Sequence, residues 1–315
     1  MYDTINMRLF ADECKGVNFV EDLPRCLTSA RVNANTATGE LWLDGRLGNM
    51  KITANRYIMQ IRDGSLCKWY FGDNFHTLDQ DSTRTAIEML SDTLHLPLSL
   101  ASITRLDVAT NLIMDKPPEV YFEHLGALRY AHRLAEPSGL YYTTKSKAYR
   151  LAFYDKGQEY SEKREAIPEP YKDCNVLRYE QRYCKRIAQR LQRPELRAAA
   201  LYDATTHREL VSRWLSTYNE IRKVNDIKLN TKMFGTIKDF NRLGILSLVE
   251  RVGGQNEMLA QIAEARKSGE ITSKTAYDLR AKVRDACKVD GEVVIQSEAV
   301  REMDSKVREA AALYM

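Results

Sequence analysis

Apolar and polar residues alternate over residues 4–10, with Ile5, Met7 and Leu9 on one side and Thr4, Asn6 and Arg8 on the other. That period of two is the mark of a half-buried strand. Residues 39–43 and 50–61 continue the strand signal on either side of the turn-rich run DGRLGN, and residues 66–71 are a shorter strand candidate. Asp81 is the expected cap of a helix that puts Ala86, Ile87, Leu90 and Leu94 on one face and stops before Pro97. Residues 103–113 return to strand; Pro117 and Pro118 open a second helix with Phe122, Leu125 and Leu128 turned inward. Residues 140–143 and 148–155 read as a hairpin about the turn TKSK, and residues 176–183 as a further strand.

From about Lys185 the period changes to that of helices. Thr206 and Glu209 form an expected capping box ahead of Leu210, Val211, Trp214, Leu215, Tyr218 and Ile221. Further helices are expected over residues 236–251, 255–267, 273–287 and 297–313. The turn KSGEIT between two of them suits a helix-turn-helix, and equally the packing of any paired helices in a bundle. The whole predicts an α+β chain: a palm-like, mainly antiparallel sheet with helices over residues 1–195, followed by an all-α domain over 196–315.

Charge and composition narrow the class without choosing a function. Hydrophobic residues make up 44% and charged residues 29%, which excludes a disordered or collagen-like chain. No run reaches the roughly 20 apolar residues of a membrane span, and no basic-then-apolar leader opens the sequence, so the expectation is a soluble, cytoplasmic protein without a membrane partner. Cys14, Cys26, Cys67, Cys174, Cys184 and Cys287 are scattered with no C-x-x-C pair, which suggests reduced thiols in a reducing compartment. A net charge of +4 is too small to identify a nucleic-acid partner, so the placement of the charges has to decide. No glycine-rich phosphate loop, G-x-S-x-G or dinucleotide fingerprint is present, so ATPase, hydrolase and dehydrogenase readings lose support.

The densest chemistry lies in the run from Tyr149 to Glu159. On a strand, Tyr154 and Lys156 share a face, and an ammonium beside a phenol lowers the cost of phenolate. A tyrosine nucleophile attacking a phosphodiester needs this pairing; an exposed strand face accommodates it equally well. Tyr149, on the opposite face, is the competing nucleophile, while Tyr141 and Tyr142 suit packing or stacking. Arg105 and Asp107 share one strand face, and Arg178, Glu180 and Arg182 another. The carboxylates of neighbouring strands suit Mg²⁺ or Mn²⁺, and they equally suit ion pairs with the adjacent arginines. His76, in a polar loop with Asp73, is the one histidine considered as a ligand. Arg182, Arg186 and Arg190, with Lys185 beside them, step by four along one expected helical face, a patch able to meet backbone phosphates; Lys145 and Lys147 of the hairpin turn, with Arg105 and Arg178, complete the expected DNA-contacting set.

Five segments, in order, resemble the gene II-type replication initiators of filamentous phages and related plasmid rolling-circle replication proteins. They are MYDTINMRLF, KWYFGDNF, ITRLDVAT, RLAFYDKGQEY and LRYEQRY, within roughly residues 1–195. The resemblance implies an endonuclease that nicks one strand at an origin, keeps the 5′ end as a phosphotyrosine, frees a 3′-OH and later rejoins the strand. It puts the nucleophile on Tyr154, with Lys156 and Glu159 beside it, and the acidic strand positions on Asp107 and Glu180. Asp73 stands where the family pattern has histidine before Asn74, so a metal ligand there falls to Asp73 or His76. Implied with it are Mg²⁺ or Mn²⁺, double- and single-stranded origin DNA, a host helicase and a homodimer. Two rivals stand beside it: a non-enzymatic origin binder, and a tyrosine relaxase or recombinase, the latter disfavoured by a tyrosine in mid-chain.

Overall fold

A computed structural model describes residues 1–227, 235–288 and 294–315. Its centre is one ten-stranded sheet in which every pairing is antiparallel. The strands are β1 (Tyr2–Phe10), β2 (Thr28–Ala34), β3 (Leu41–Leu47), β4 (Met50–Ala54), β5 (Ile58–Arg62), β6 (Ser102–Met114), β7 (Ala131–Glu136), β8 (Gly139–Thr144), β9 (Tyr149–Asp155) and β10 (Asn175–Tyr183). Their order is β2-β3-β4-β5-β1-β6-β10-β9-β8-β7. Two meanders, β2–β5 and β7–β10, are therefore joined through β1 and the long β6. With the helices packed on it, this is an α+β fold.

The helices are α1 (Phe19–Asp22), α2 (Leu66–Phe71), α3 (Gln80–Leu94), α4 (Pro118–Glu123), α5 (Lys156–Lys163), α6 (Ile187–Arg190), α7 (Ala204–Glu220), α8 (Ile237–Val252), α9 (Gln255–Lys267), α10 (Ser273–Ala286) and α11 (Glu298–Tyr314). Side chains alternate across a sheet, and the two faces here have different fates. Leu9, Ile52, Ile61, Leu106, Val108, Leu151, Phe153, Leu177 and Tyr179 point into the main core, where Ile87 and Leu90 of α3 and Trp214 and Tyr218 of α7 meet them. Tyr179 stacks on Phe153 at 4.4 Å between ring centres, and its hydroxyl donates to the Trp214 carbonyl at 3.1 Å. α11 returns to the same core through Met303, Val307 and Ala311, and the Tyr218 hydroxyl donates to Asp304 at 2.7 Å. One core thus runs across residue 195, while α8–α10 gather around a small core of their own, Val249, Ile262, Ala276 and Val283. Within that trio the KSGEIT turn joins packed helices. No described helix is long and apolar enough to cross a membrane.

Several local expectations are corrected. Leu66–Phe71 is a helix, started by Ser65, whose hydroxyl accepts the Lys68 N–H at 2.9 Å; a six-residue apolar run carries too little period to separate strand from helix. Asp79 caps α3 in place of Asp81, and Asp203 caps α7, with Thr206 donating to it from the third helical position. Helix α4 stops at Glu123, so Leu125 and Leu128 pack from a loop. The basic helical face does not form: Arg182 is still within β10, Arg186 takes a left-handed backbone (φ 54°), and α6 is only four residues long.

Candidate functional site

The site lies on the sheet face opposite the main core. Cross-strand register puts Arg178 beside Asn111 on β6 and Tyr154 on β9, Glu180 between Ala109 and Ala152, and Arg182 between Asp107 and Arg150. Small residues flank Glu180, so its carboxylate can be approached from both sides. The Tyr154 hydroxyl donates to Glu180 Oε1 at 2.6 Å, Arg178 Nε donates to the same oxygen at 2.6 Å, and Arg182 Nε donates to Oε2 at 2.5 Å. Arg178 also pairs with Asp3 at 2.6 Å and donates to Asn111 Oδ1 and the Asn74 carbonyl, both at 3.0 Å. Arg105 grips both oxygens of Asp107, at 3.1 and 2.6 Å. Three arginines thus face Asp3, Asp107 and Glu180; Arg178 and the three carboxylates are buried, whereas Arg105 and Arg182 stay partly exposed.

Lys156 does not share a strand with Tyr154, because β9 ends at Asp155 and Lys156 opens α5. The two still meet: the Lys156 ammonium is 5.8 Å from the centre of the Tyr154 ring and 4.8 Å from that of Tyr160, and it donates to Glu159 at 2.5 Å. α5 folds over this end of the face, where Phe75, Tyr160 and Val176 make a small apolar cap. Between α5 and the open sheet lies a cavity of about 130 Å³ lined by Tyr154, Tyr141, Glu159 and Arg182.

Burial and charge set the protonation states. Burial pushes the Tyr154 phenol well above its usual range, and the Glu180 charge adds to that. Burial also acts to raise Glu180, but Arg182 and Arg178, with the hydrogen bond from Tyr154, overcome it and hold the carboxyl below the usual range. Asp107 is pushed up to about 6, by burial first and then by Glu180, against the hydrogen bond from Arg105. Lys156 falls to about 8 through burial and the nearby Arg178, against the pull of Glu159.

The structure brings together Tyr154, Lys156, Arg105, Asp107, Arg178, Glu180 and Arg182. It does not bring in the others. Asp73 closes its own loop, accepting the N–H groups of Phe75 and His76 at 2.8 and 3.1 Å, while His76 Nδ1 sits 3.0 Å from both its oxygens. Lys145 and Lys147 are exposed in the turn before β9, at the opposite end of that strand from Tyr154. Arg190 lies 4.2 Å over the Tyr149 ring, and the Tyr149 hydroxyl bonds to Thr217 at 3.3 Å, on the core side of the sheet away from Tyr154. Lys185 and Arg186 are exposed beyond β10. Among the described residues no three metal-type side chains gather, and both Asp107 and Glu180 are already bonded at each oxygen by guanidinium groups. As arranged, they do not fit a divalent cation unless an arginine moves.

Sequence reading missed Asp3, Asn74, Asn111 and Tyr160. Tyr160 donates to Asn74 Oδ1 at 2.7 Å, which ties the Asn74 loop to α5, and Asn111 donates to the Phe75 carbonyl at 2.7 Å. Of these, only Asn111, a polar residue in the apolar second half of β6, offered a signal that could have been followed. In comparisons with known proteins, residues 1–217 match the family model of the phage gene II replication-associated protein, N-terminal region. No curated protein matches the chain.

Proposed function

The chain belongs to the family of the phage gene II replication-associated protein, and we propose that it initiates rolling-circle replication by nicking one strand at its origin through Tyr154. The family makes it a replication initiation protein and implies DNA as its partner; the nicking chemistry is the further step. The observation that carries this reading is the Tyr154–Glu180–Arg182 chain of hydrogen bonds beside a cavity that Tyr154 and Arg182 themselves line.

In the resting arrangement Tyr154 is a poor nucleophile, since its proton is held by burial and Glu180 is a weak base between two arginines. A phosphodiester entering the cavity competes for Arg182, because phosphate accepts a guanidinium through two parallel hydrogen bonds as a carboxylate does. Once Arg182 turns to the phosphate, Glu180 loses one cation and its basicity rises. The phenol proton then passes to Glu180, the Tyr154 oxygen bonds to phosphorus, and the P–O3′ bond breaks. Its electron pair stays on the 3′ oxygen, which takes a proton from water. Arg182 and Arg105 oppose the charge growing on the phosphate oxygens, and the Lys156 ammonium offsets charge on the phenol oxygen as its proton leaves. Reversal of the same steps rejoins the strand without ATP, because the phosphotyrosine ester conserves the bond.

The test is a denaturing gel of protein incubated with supercoiled DNA carrying its own origin. We expect a covalent protein–DNA adduct from the wild type and none from Tyr154→Phe, with DNA binding retained. Binding without any wild-type adduct would leave a non-enzymatic origin binder as the better reading. The same gel with EDTA, Mg²⁺ or Mn²⁺ tests the metal that the family resemblance implies against the arginine-bonded state of Asp107 and Glu180.

A further inference from the structure

The sheet face that holds the site continues from β10 across β6 and β1 onto the β2–β5 meander, where Leu43, Ile52 and Ile61 are buried on the core side and the opposite side is exposed at Arg46, Lys51 and Arg62. Register places Arg46 on β3 opposite Lys51 on β4, and Lys51 opposite Arg62 on β5, so three cations stand in a row across three strands. All three are exposed, as is Arg8 on β1, whose partner is Gln60 on β5. Like charges directly opposite one another destabilise a sheet. Asp44 relieves one of them only, reaching Lys51 at 3.4 Å with both side chains nearly half exposed. On the same face of β3, Trp42 is 48% exposed. The next cation toward the site is Arg105 on β6, paired across β1 with Asn6 and bonded to Asp107.

We infer that this face of β3–β5 is a binding track for single-stranded DNA, with Arg46, Lys51 and Arg62 contacting backbone phosphates and Trp42 stacking on a base. A polyanion offsets the repulsion in the row, which explains why three like charges are kept opposite one another. The exposed indole selects single strands, since paired bases keep their faces inside the duplex. The track is aimed at the nucleophile: β3 and β9 are six strand positions apart in one sheet, about 29 Å at normal strand spacing, with Arg62, Arg105 and Arg182 in between. The inference rests on the proposed action on DNA for its purpose, but binding at the track needs no reaction at Tyr154.

The experiment measures the anisotropy of a dye-labelled thymidine oligomer against the full chain over a range of salt. Removing three phosphate-binding cations, in Arg46→Gln/Lys51→Gln/Arg62→Gln, lowers the slope of log affinity against log salt by about 2. Arg46→Lys/Arg62→Lys, which keeps the charges, retains the wild-type slope. Trp42→Ala weakens binding about tenfold, with unchanged circular dichroism. An unaltered slope in the triple glutamine variant overturns the proposal, as does an equal loss on duplex and single strand, which would mean a duplex site. The adduct gel separates the two readings: if the wild type forms no covalent adduct while the triple variant still loses single-strand affinity, the nicking reading fails and the track stands.

Discussion

Glu180 accepts hydrogen bonds from a tyrosine and two arginines at once, and Lys156 sits in the same buried neighbourhood with one carboxylate, Glu159, as its partner. Removing one side of such a buried pair generally costs more than the pair itself contributes, because the other charge is left in a dry site. The lysine gives the cleaner measurement. Its value near 8 lies below the ordinary 10.5, so the unfolded chain binds more protons than the folded one between those limits. The stability Lys156 contributes is therefore present above the unfolded value and lost as pH falls through the folded one. We expect the wild type to gain on Lys156→Met by the order of 1 kcal/mol as pH rises from 8 to about 9.5, read from urea unfolding at each pH. A difference independent of pH would mean that the ammonium is solvated.

At the scale of elements, α7 shows what holds the core side of the sheet under the site. Trp214 is fully buried, sits 4.6 Å from Tyr179, and joins to β10 through the Tyr179 hydroxyl. Trp214→Ala should cost about 3–5 kcal/mol, seen as a lower denaturation midpoint with an unchanged slope. The same helix marks how far sequence reading reaches. Its apolar face was legible because the 3.6 period spans five turns, yet its cap was misplaced by three residues: Asp203, Thr206 and Glu209 all carry capping chemistry, and only the fold selects among them. The alternation Arg178, Glu180, Arg182 pointed to the site strand directly, and the spacing of Tyr154 and Lys156 found a true neighbourhood by an incorrect route, since one is on a strand and the other on a helix. The expected basic helix failed because a four-residue step means one face only while the backbone stays helical, and here it changes from strand to left-handed turn to short helix within Arg182–Arg190. Asp3 and Asn74 were illegible as partners because Arg178 reaches them over 175 and 104 positions of chain.

For the whole molecule, packing distributes stability unevenly. The sheet, α3, α7 and α11 share one large core, whereas α8–α10 rest on a few residues around Val249 and Ile262. Opening free energy follows local burial. Amide hydrogen exchange should therefore release α8–α10 well before β6, β10 or α7, while α11, later in sequence, stays protected with the sheet. Exchange of α11 together with α8–α10 would show that its contacts through Met303 and Asp304 contribute little.

The long reach from Asp3 to Arg178 has a consequence for the birth of the protein. β1 lies between β5 and β6, and the salt bridge from its Asp3 closes only after the ribosome has delivered β10. Until then Glu180 does not exist for Tyr154 to bond, and β6 lacks one of its neighbours. Such distant pairings make folding slow relative to helical proteins of similar size. A nascent chain therefore carries its tyrosine for some time without the surroundings that the proposed chemistry requires, so a chain cut short before β10 would meet DNA without the means to nick it.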